Sequence, residues 1–173
     1  MTSASTDAPL TFCVSRRLRV PAEAVWREMA RPGHLADCHP FCARNVPERW
    51  PGVGARDSVH YHNGRLHHRN FTAWQEGRSY TVVVTDPFER RVLEAEFSVA
   101  PAPDRPSESV MRVAGRGLPG RRLPGPLRRL VWRFGERALM ERYFDHVIRG
   151  FEHHLLTGQR VRRNQFGWVP GFS

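Results

Sequence analysis

The stretch that most constrains this chain runs from Leu127 to Leu156, above all its part after Gly135. There Met140, Phe144, Val147, Ile148, Phe151 and Leu155 recur at steps of three and four, the spacing that gathers an apolar stripe on one face of a helix. Arg142, Asp145, Arg149 and Glu152 fall on the opposite face, with Asp145 four residues before Arg149, an orientation that weakly favours a helical ion pair. Such a stripe has to be buried on something. Nearly everything before it reads as strand, so the economical arrangement is one amphipathic helix laid across a sheet. Gly135 should weaken or kink the first part of the helix by about 1 kcal/mol relative to Ala.

At 173 residues the chain suits one domain, which buries roughly 70% of its unfolded surface. Three cysteines, Cys13, Cys38 and Cys42, do not make a disulfide framework, and the N-terminus has no charged region followed by an apolar run; a cytoplasmic location is expected. No apolar run approaches the ~20 residues that span a bilayer, so no membrane insertion is expected. The formal charge of +10 invites a nucleic-acid partner. However, all 27 basic residues are arginine, scattered from Arg16 to Arg163 with no recognition-helix, RNP or zinc-finger pattern beside them. Nucleic acid is therefore not the expected partner.

Residues 1–9 are small and polar, a flexible N-terminus; 10–157 form the domain. A strand over 10–18 is followed by a helix opened by Pro21, with Ala22, Val25, Trp26 and Met29 buried, and stopped at Pro32-Gly33. A short helical turn covers 34–37. Six strands are predicted at 41–49, 54–62, 66–75, 78–85, 90–99 and 108–117. Asn63-Gly64 and Glu76-Gly77 read as two-residue hairpin turns and 86–89 as a four-residue turn, while 101–106 reads as a solvent loop and 117–126 as a basic Gly/Pro loop. In the tail, 158–173, Phe166, Trp168 and Phe172 are too apolar to hang free; the tail should pack on the body or on a partner chain, as in a homodimer.

Hairpin register decides which residues face the helix, because a strand alternates sides at every residue. A two-residue turn at Asn63-Gly64 pairs His62 with Arg65 and His60 with His67. One at Glu76-Gly77 pairs Ala73 with Tyr80 and Phe71 with Val82, and the next turn sets Val82 opposite Leu93 and Tyr80 opposite Ala95. The inward face then collects Phe71, Tyr80, Val82, Leu93 and Phe97, together with polar His60, His62, Arg65, His67 and Arg69 towards the hairpin tip. These polar groups either reach water past the sheet edge or line the polar part of a cavity. His60, His62 and His67 could converge on a metal, but no carboxylate on that face would orient the rings. His34, Cys38, His39 and Cys42 match no zinc module. No metal or cofactor is expected.

Three segments carry a family resemblance: Arg19-Val20-Pro21-Ala22-Glu23-Ala24-Val25-Trp26; Pro32-Gly33-His34-Leu35 with His39-Pro40; and Gly52-Val53-Gly54-Ala55-Arg56. In this order, across Phe12 to Leu156, the chain resembles the SRPBCC superfamily, the START and birch-pollen-allergen-like proteins. The resemblance implies an α+β helix-grip fold: a seven-stranded antiparallel sheet wrapped around a long C-terminal helix, with two short helices after strand 1. It also implies an apolar cavity for a lipid or polyketide-like molecule, its mouth among the loops at 63–64, 86–89 and 117–126.

The first functional expectation is therefore hydrophobic small-molecule binding, with His60, His62, Phe71, Val82, Leu93, Phe97, Phe144, Val147 and Phe151 around the ligand. The second is a polyketide cyclase or aromatase, as in some members of the superfamily. There His67 would act as general acid or base, Arg69 (or Arg65) would stabilise an enolate, and Tyr80 would donate a proton. Ala73 falls where aromatase-like members carry a pocket arginine, a departure from their pattern. The third expectation, in another class, is a macromolecule-binding member using its basic surface.

Overall fold

A computed structural model describes residues 11–117 and 135–173. Strand β1 (Thr11–Leu18) leads into α1 (Ala22–Met29) and α2 (Leu35–Cys38). A meander follows: β2 (Cys42–Arg49), β3 (Arg56–Tyr61), β4 (Leu66–Gln75), β5 (Ser79–Thr85), β6 (Arg91–Ala102) and β7 (Arg105–Gly117). The chain then enters α3 (Arg137–Thr157). The expected helix residues 127–134 and the loop 118–126 lie outside the described residues. All seven strands form one antiparallel sheet in the order β1-β7-β6-β5-β4-β3-β2. This is the helix-grip α+β architecture.

Helix α3 lies on the sheet through Phe144, Val147, Ile148 and Phe151, each at most 3% exposed. The outer face holds the expected pair, Arg149 with Asp145 at 4.0 Å, and Arg16 of β1 reaches the same carboxylate at 2.9 Å. Gly158 ends the helix in the left-handed conformation (φ 68°), its N–H donating to the His154 carbonyl at 2.8 Å. Gly150 allows a close approach: a Cβ there would meet the Cys38 carbonyl oxygen at 1.9 Å, so only glycine lets α3 press on the end of α2.

The buried stripe is broader than the periodicity predicts, since Tyr143 and His146 are also buried. Residues 159–173 cover that side of α3, running back along α2 and the β3–β4 turn. Val161 donates to the Asp37 carbonyl, Asn164 to that of Pro40, and the Asn63 amide to that of Gly171. Val161 and Val169 are buried, while Trp168 is 61% exposed. One loop expectation is corrected. Residues 101–106 are not a free loop, because β6 and β7 continue to a tight turn with Ala102 opposite Arg105, and Arg17 of β1 holds the turn through Asp104 and β7 through Glu108.

Candidate functional site

The site starts from one turn. Gly64 N–H donates to the Tyr61 carbonyl and Tyr61 N–H to that of Arg65, at 3.1 and 2.9 Å, so three residues rather than two form the hairpin loop, with Gly64 at φ 83°. Val59 therefore pairs with His67 and Asp57 with Arg69, while His60 pairs with Leu66. A one-residue slip exchanges the faces of β3. Asp57, Val59 and Tyr61 share the face of His67 and Arg69; His60 is turned away from it. His62 is held in the turn, its N–H on the Phe41 carbonyl at 3.0 Å. Neither His60 nor His62 belongs to the cavity wall described below.

A second register change lies between Phe71 and Ala73, after which Ala73 pairs with Thr81 and Trp74 with Tyr80. The bulge puts Trp74 inward and Ala73 outward. Trp74 stacks on Tyr80 (centroids 5.6 Å apart) and meets Trp26, Trp50 and Phe71 edge-on or tilted, which fills this end of the sheet with rings. Phe71, Tyr80 and Phe151 are thus core residues of a packed region and do not border the cavity. The Tyr80 hydroxyl, which burial pushes up to about 12 against the opposing pull of the Arg69 charge nearby, makes no hydrogen bond of ordinary geometry among the described residues. By contrast, the turn between β5 and β6 shifts the predicted pairing by two residues, to Val82 with Ala95 and Val84 with Leu93. A shift of two leaves every side chain on its predicted face.

Under the other end of α3 the sheet and helix do not meet. A cavity of about 270 Å³ opens there, walled by Val82, Leu93, Phe97, Phe144 and Val147 from the predicted set. His67 and Arg69 also line it. The sequence reading missed Tyr61, His39, Leu35, Met140, Tyr143 and Phe172 as site residues; Val59, Arg65, Val84 and Val92 line the cavity too. Phe172 comes from the tail and packs 4.1 Å from the Tyr143 ring. An aromatic in a Gly/Pro-rich tail was the available signal.

Two polar systems enter this apolar wall. Arg69, 5% exposed, grips the fully buried Asp57 through both Nε, at 2.9 Å, and Nη2. Burial works against both charges, yet each holds its partner ionised: the Asp57 carboxyl lies below its ordinary range and the Arg69 guanidinium above its own. The carboxylate thought absent from this face is present through the register slip. The second system links His39 Nε2 to Tyr143 Oη and Tyr143 Oη to Tyr61 Oη, each at 2.9 Å. Burial lowers the His39 imidazole to about 3, helped by the Arg69 charge, and raises the Tyr61 phenol to about 12. His67, half-buried beside Tyr61, is lowered by burial and by Arg65. Among the described residues no group of three or more His, Cys, Asp or Glu is placed to hold a metal.

Residues 9–153 match the family described as polyketide cyclase / dehydrase and lipid transport. The chain belongs to this family. The match spans the whole meander and nearly all of α3, and leaves the cavity-closing tail outside. Among solved structures, a START superfamily protein from Mycobacterium smegmatis superposes with a TM-score of 0.66 at 11% identity, covering 86% of this chain and 99% of its own. A protein from Mesorhizobium loti is similar at 18% identity and a TM-score of 0.60, over 84% of this chain and 96% of its own. DynU16, a putative protein of the dynemicin biosynthetic locus, is similar at 15% identity and a TM-score of 0.65. It is covered over only 50% of its length, against 90% of this chain. At such identities the likeness is one of fold. No curated protein matches the sequence significantly. No helix among the described residues is long and apolar enough to cross a membrane.

Proposed function

We propose that this family member binds a small, largely apolar molecule between the hairpins β3–β6 and the first half of α3. The observation that carries this is the cavity of about 270 Å³, close to the lower end of the range of ligand pockets, with aliphatic and aromatic walls and a few polar groups at one end. A hollow core supports this over a macromolecule-binding role for the basic surface, which needs no cavity. Three cysteines present as thiols, two of them buried, support a reducing, cytoplasmic setting.

Polyketide cyclisation is the second reading, and the half-buried His67 on the cavity wall favours it: a lowered imidazole is neutral and able to accept a proton at neutral pH. In this reading His67 carries the proton transfers. Arg69 acts only as a dipole with Asp57, and Tyr80, walled off in the packed region, takes no part.

Mass spectrometry of small molecules released from the purified protein tests the first reading, together with Leu93→Trp. Leu93 is only partly buried and borders the cavity, so an indole there should fill the space while the fold survives. An uncharged apolar fluorescent probe, N-phenyl-1-naphthylamine, is expected to bind the wild type and to lose at least tenfold in affinity for the variant. Equal binding to both would place the probe elsewhere and overturn the proposal.

A further inference from the structure

The hydrogen bonds at the polar end of the cavity have a direction. The backbone N–H of Phe41 donates to His39 Nδ1 at 3.2 Å, so that nitrogen must carry its lone pair, and in the neutral ring the proton must be on Nε2. His39 Nε2–H then donates to Tyr143 Oη; either phenol could donate across the Tyr143–Tyr61 contact, and the arrangement that gives the buried Tyr143 O–H an acceptor is Tyr143 donating to Tyr61 Oη. Tyr61 Oη has received a proton donor and, among the described residues, has no other partner. Its own O–H is left over, on a side chain of the cavity wall.

We propose that His39, Tyr143 and Tyr61 form a one-way chain of donors ending in a single O–H aimed into the cavity, and that Tyr61 selects ligands carrying a neutral acceptor, a ketone-type carbonyl oxygen, on an apolar body. This rests on the binding function proposed above. Reversing the Tyr143–Tyr61 link to accept from a ligand hydroxyl would leave the buried Tyr143 O–H without an acceptor, and reversing the His39–Tyr143 link as well would break the Phe41 bond. Donors in series polarise one another, so the terminal O–H is a stronger donor than an isolated phenol. A carboxylate fits less well: Arg69 on the inner wall is already charge-paired with Asp57 through Nε and Nη2, and the other cation of the wall, Arg65, sits exposed to water on the hairpin loop. The apolar body would lie towards Phe97, Phe144 and Leu93.

The test uses two probes of one shape, 2-acetylnaphthalene and 2-isopropenylnaphthalene, which differ in having C=O or C=CH2. Removing one neutral hydrogen bond should weaken the ketone roughly five- to tenfold in Tyr61→Phe while leaving the hydrocarbon within twofold. The infrared C=O stretch of bound ketone should rise in Tyr61→Phe, and rise by a smaller amount in Tyr143→Phe, where the chain is cut one link back. Hydrocarbon binding also reports whether each variant keeps its cavity. If Tyr61→Phe weakens both probes equally, or the C=O stretch is the same in wild type and variant, the donor chain is refuted and the cavity stands. If neither probe binds the wild type, the binding function fails and takes this inference with it.

Discussion

Beneath α3 the molecule has two ends built from the same strands, one filled and one hollow. At the filled end, Phe151 of the helix meets His34, His34 meets Trp50, and Trp50, Phe71, Trp74 and Tyr80 pack ring on ring behind it, with centroids no more than 6.0 Å apart along the series. At the hollow end, Met140, Tyr143, Phe144 and Val147 face a space of about 270 Å³. The helix is apolar at both. What differs is the sheet beneath: one bulge turns Trp74 into the filled end, while the hollow end has Val82, Val84 and Val92, too short to span the gap. Stability is thus concentrated at one end and the capacity to bind at the other.

Acid should have the largest effect. His34 and His39 are both lowered from 6.5 to about 3, chiefly by burial. The unfolded chain takes up protons at these rings below pH 6.5, whereas the folded one does not, so stability is fully present above that pH and is lost as pH falls towards 3. At about 1.4 kcal/mol per unit and per ring, two rings cost roughly 4 kcal/mol at pH 5. Asp57, whose folded value is depressed, adds a loss of the same sign at lower pH, below its ordinary 3.8. The melting temperature should therefore fall between pH 7 and pH 5; a flat profile would mean that both rings protonate in place. His39 borders the cavity and His34 does not. Because both rings are lowered to the same value, a bound apolar probe should be released in the same acid window in which the near-ultraviolet dichroism of the filled end changes, and a probe retained through that window would mean that His39 protonates without disturbing the hollow end.

Next in size is the contrast between two phenylalanines of α3. Phe151 is fully buried in the filled end, and its truncation to Ala should cost about 3–5 kcal/mol in chemical denaturation. Phe144 stacks on Phe12 at 5.0 Å but has the cavity on another side. Because one side of the ring already faces open space, its truncation extends an existing cavity instead of opening a new one, and Phe144→Ala should cost about 3 kcal/mol or less. Equal costs would mean that the hollow end is packed in solution.

The place of β1 beside β7 was not legible, whereas the meander from β2 to β7, both short helices and the buried stripe of α3 were, from alternation, turn residues and steps of three and four. So were the faces of β5 and β6, because an error of two in register leaves faces unchanged. The face of β3 was not, and the reason is specific. The Asn63-Gly64 rule counts a two-residue turn, and the added turn residue reverses the whole strand. A competing signal was present in Asp57-Ser58-Val59-His60-Tyr61, where the apolar Val59 and Tyr61 share one parity and the polar Ser58 and His60 the other. Weighting that alternation above the turn would have brought Asp57 and Tyr61 inside and put His60 out. The bulge before Trp74 depends on contacts far apart in sequence, which no local pattern encodes; the apolar rings of the tail signalled that it packs, but not that Phe172 reaches the cavity wall.

The smallest expected effect is at the boundary of the hollow end. Phe172 is only partly buried and is held through Tyr143, Tyr61 and the Asn63–Gly171 hydrogen bond. Its truncation to Ala should cost about 1 kcal/mol or less in stability, since little of the ring is enclosed by the core. Its place in the cavity wall predicts a larger change in kinetics than in stability: dissociation of the bound naphthyl ketone should quicken several-fold in a stopped-flow experiment, while the melting temperature moves by a degree or two. If the ketone leaves at the wild-type rate, the ligand enters and exits elsewhere, and the tail is a brace for the His39–Tyr143 pair. If the melting temperature instead falls as far as it does in Phe151→Ala, the tail belongs to the cooperative core, and the hollow end is held closed by packing as strong as that of the filled one.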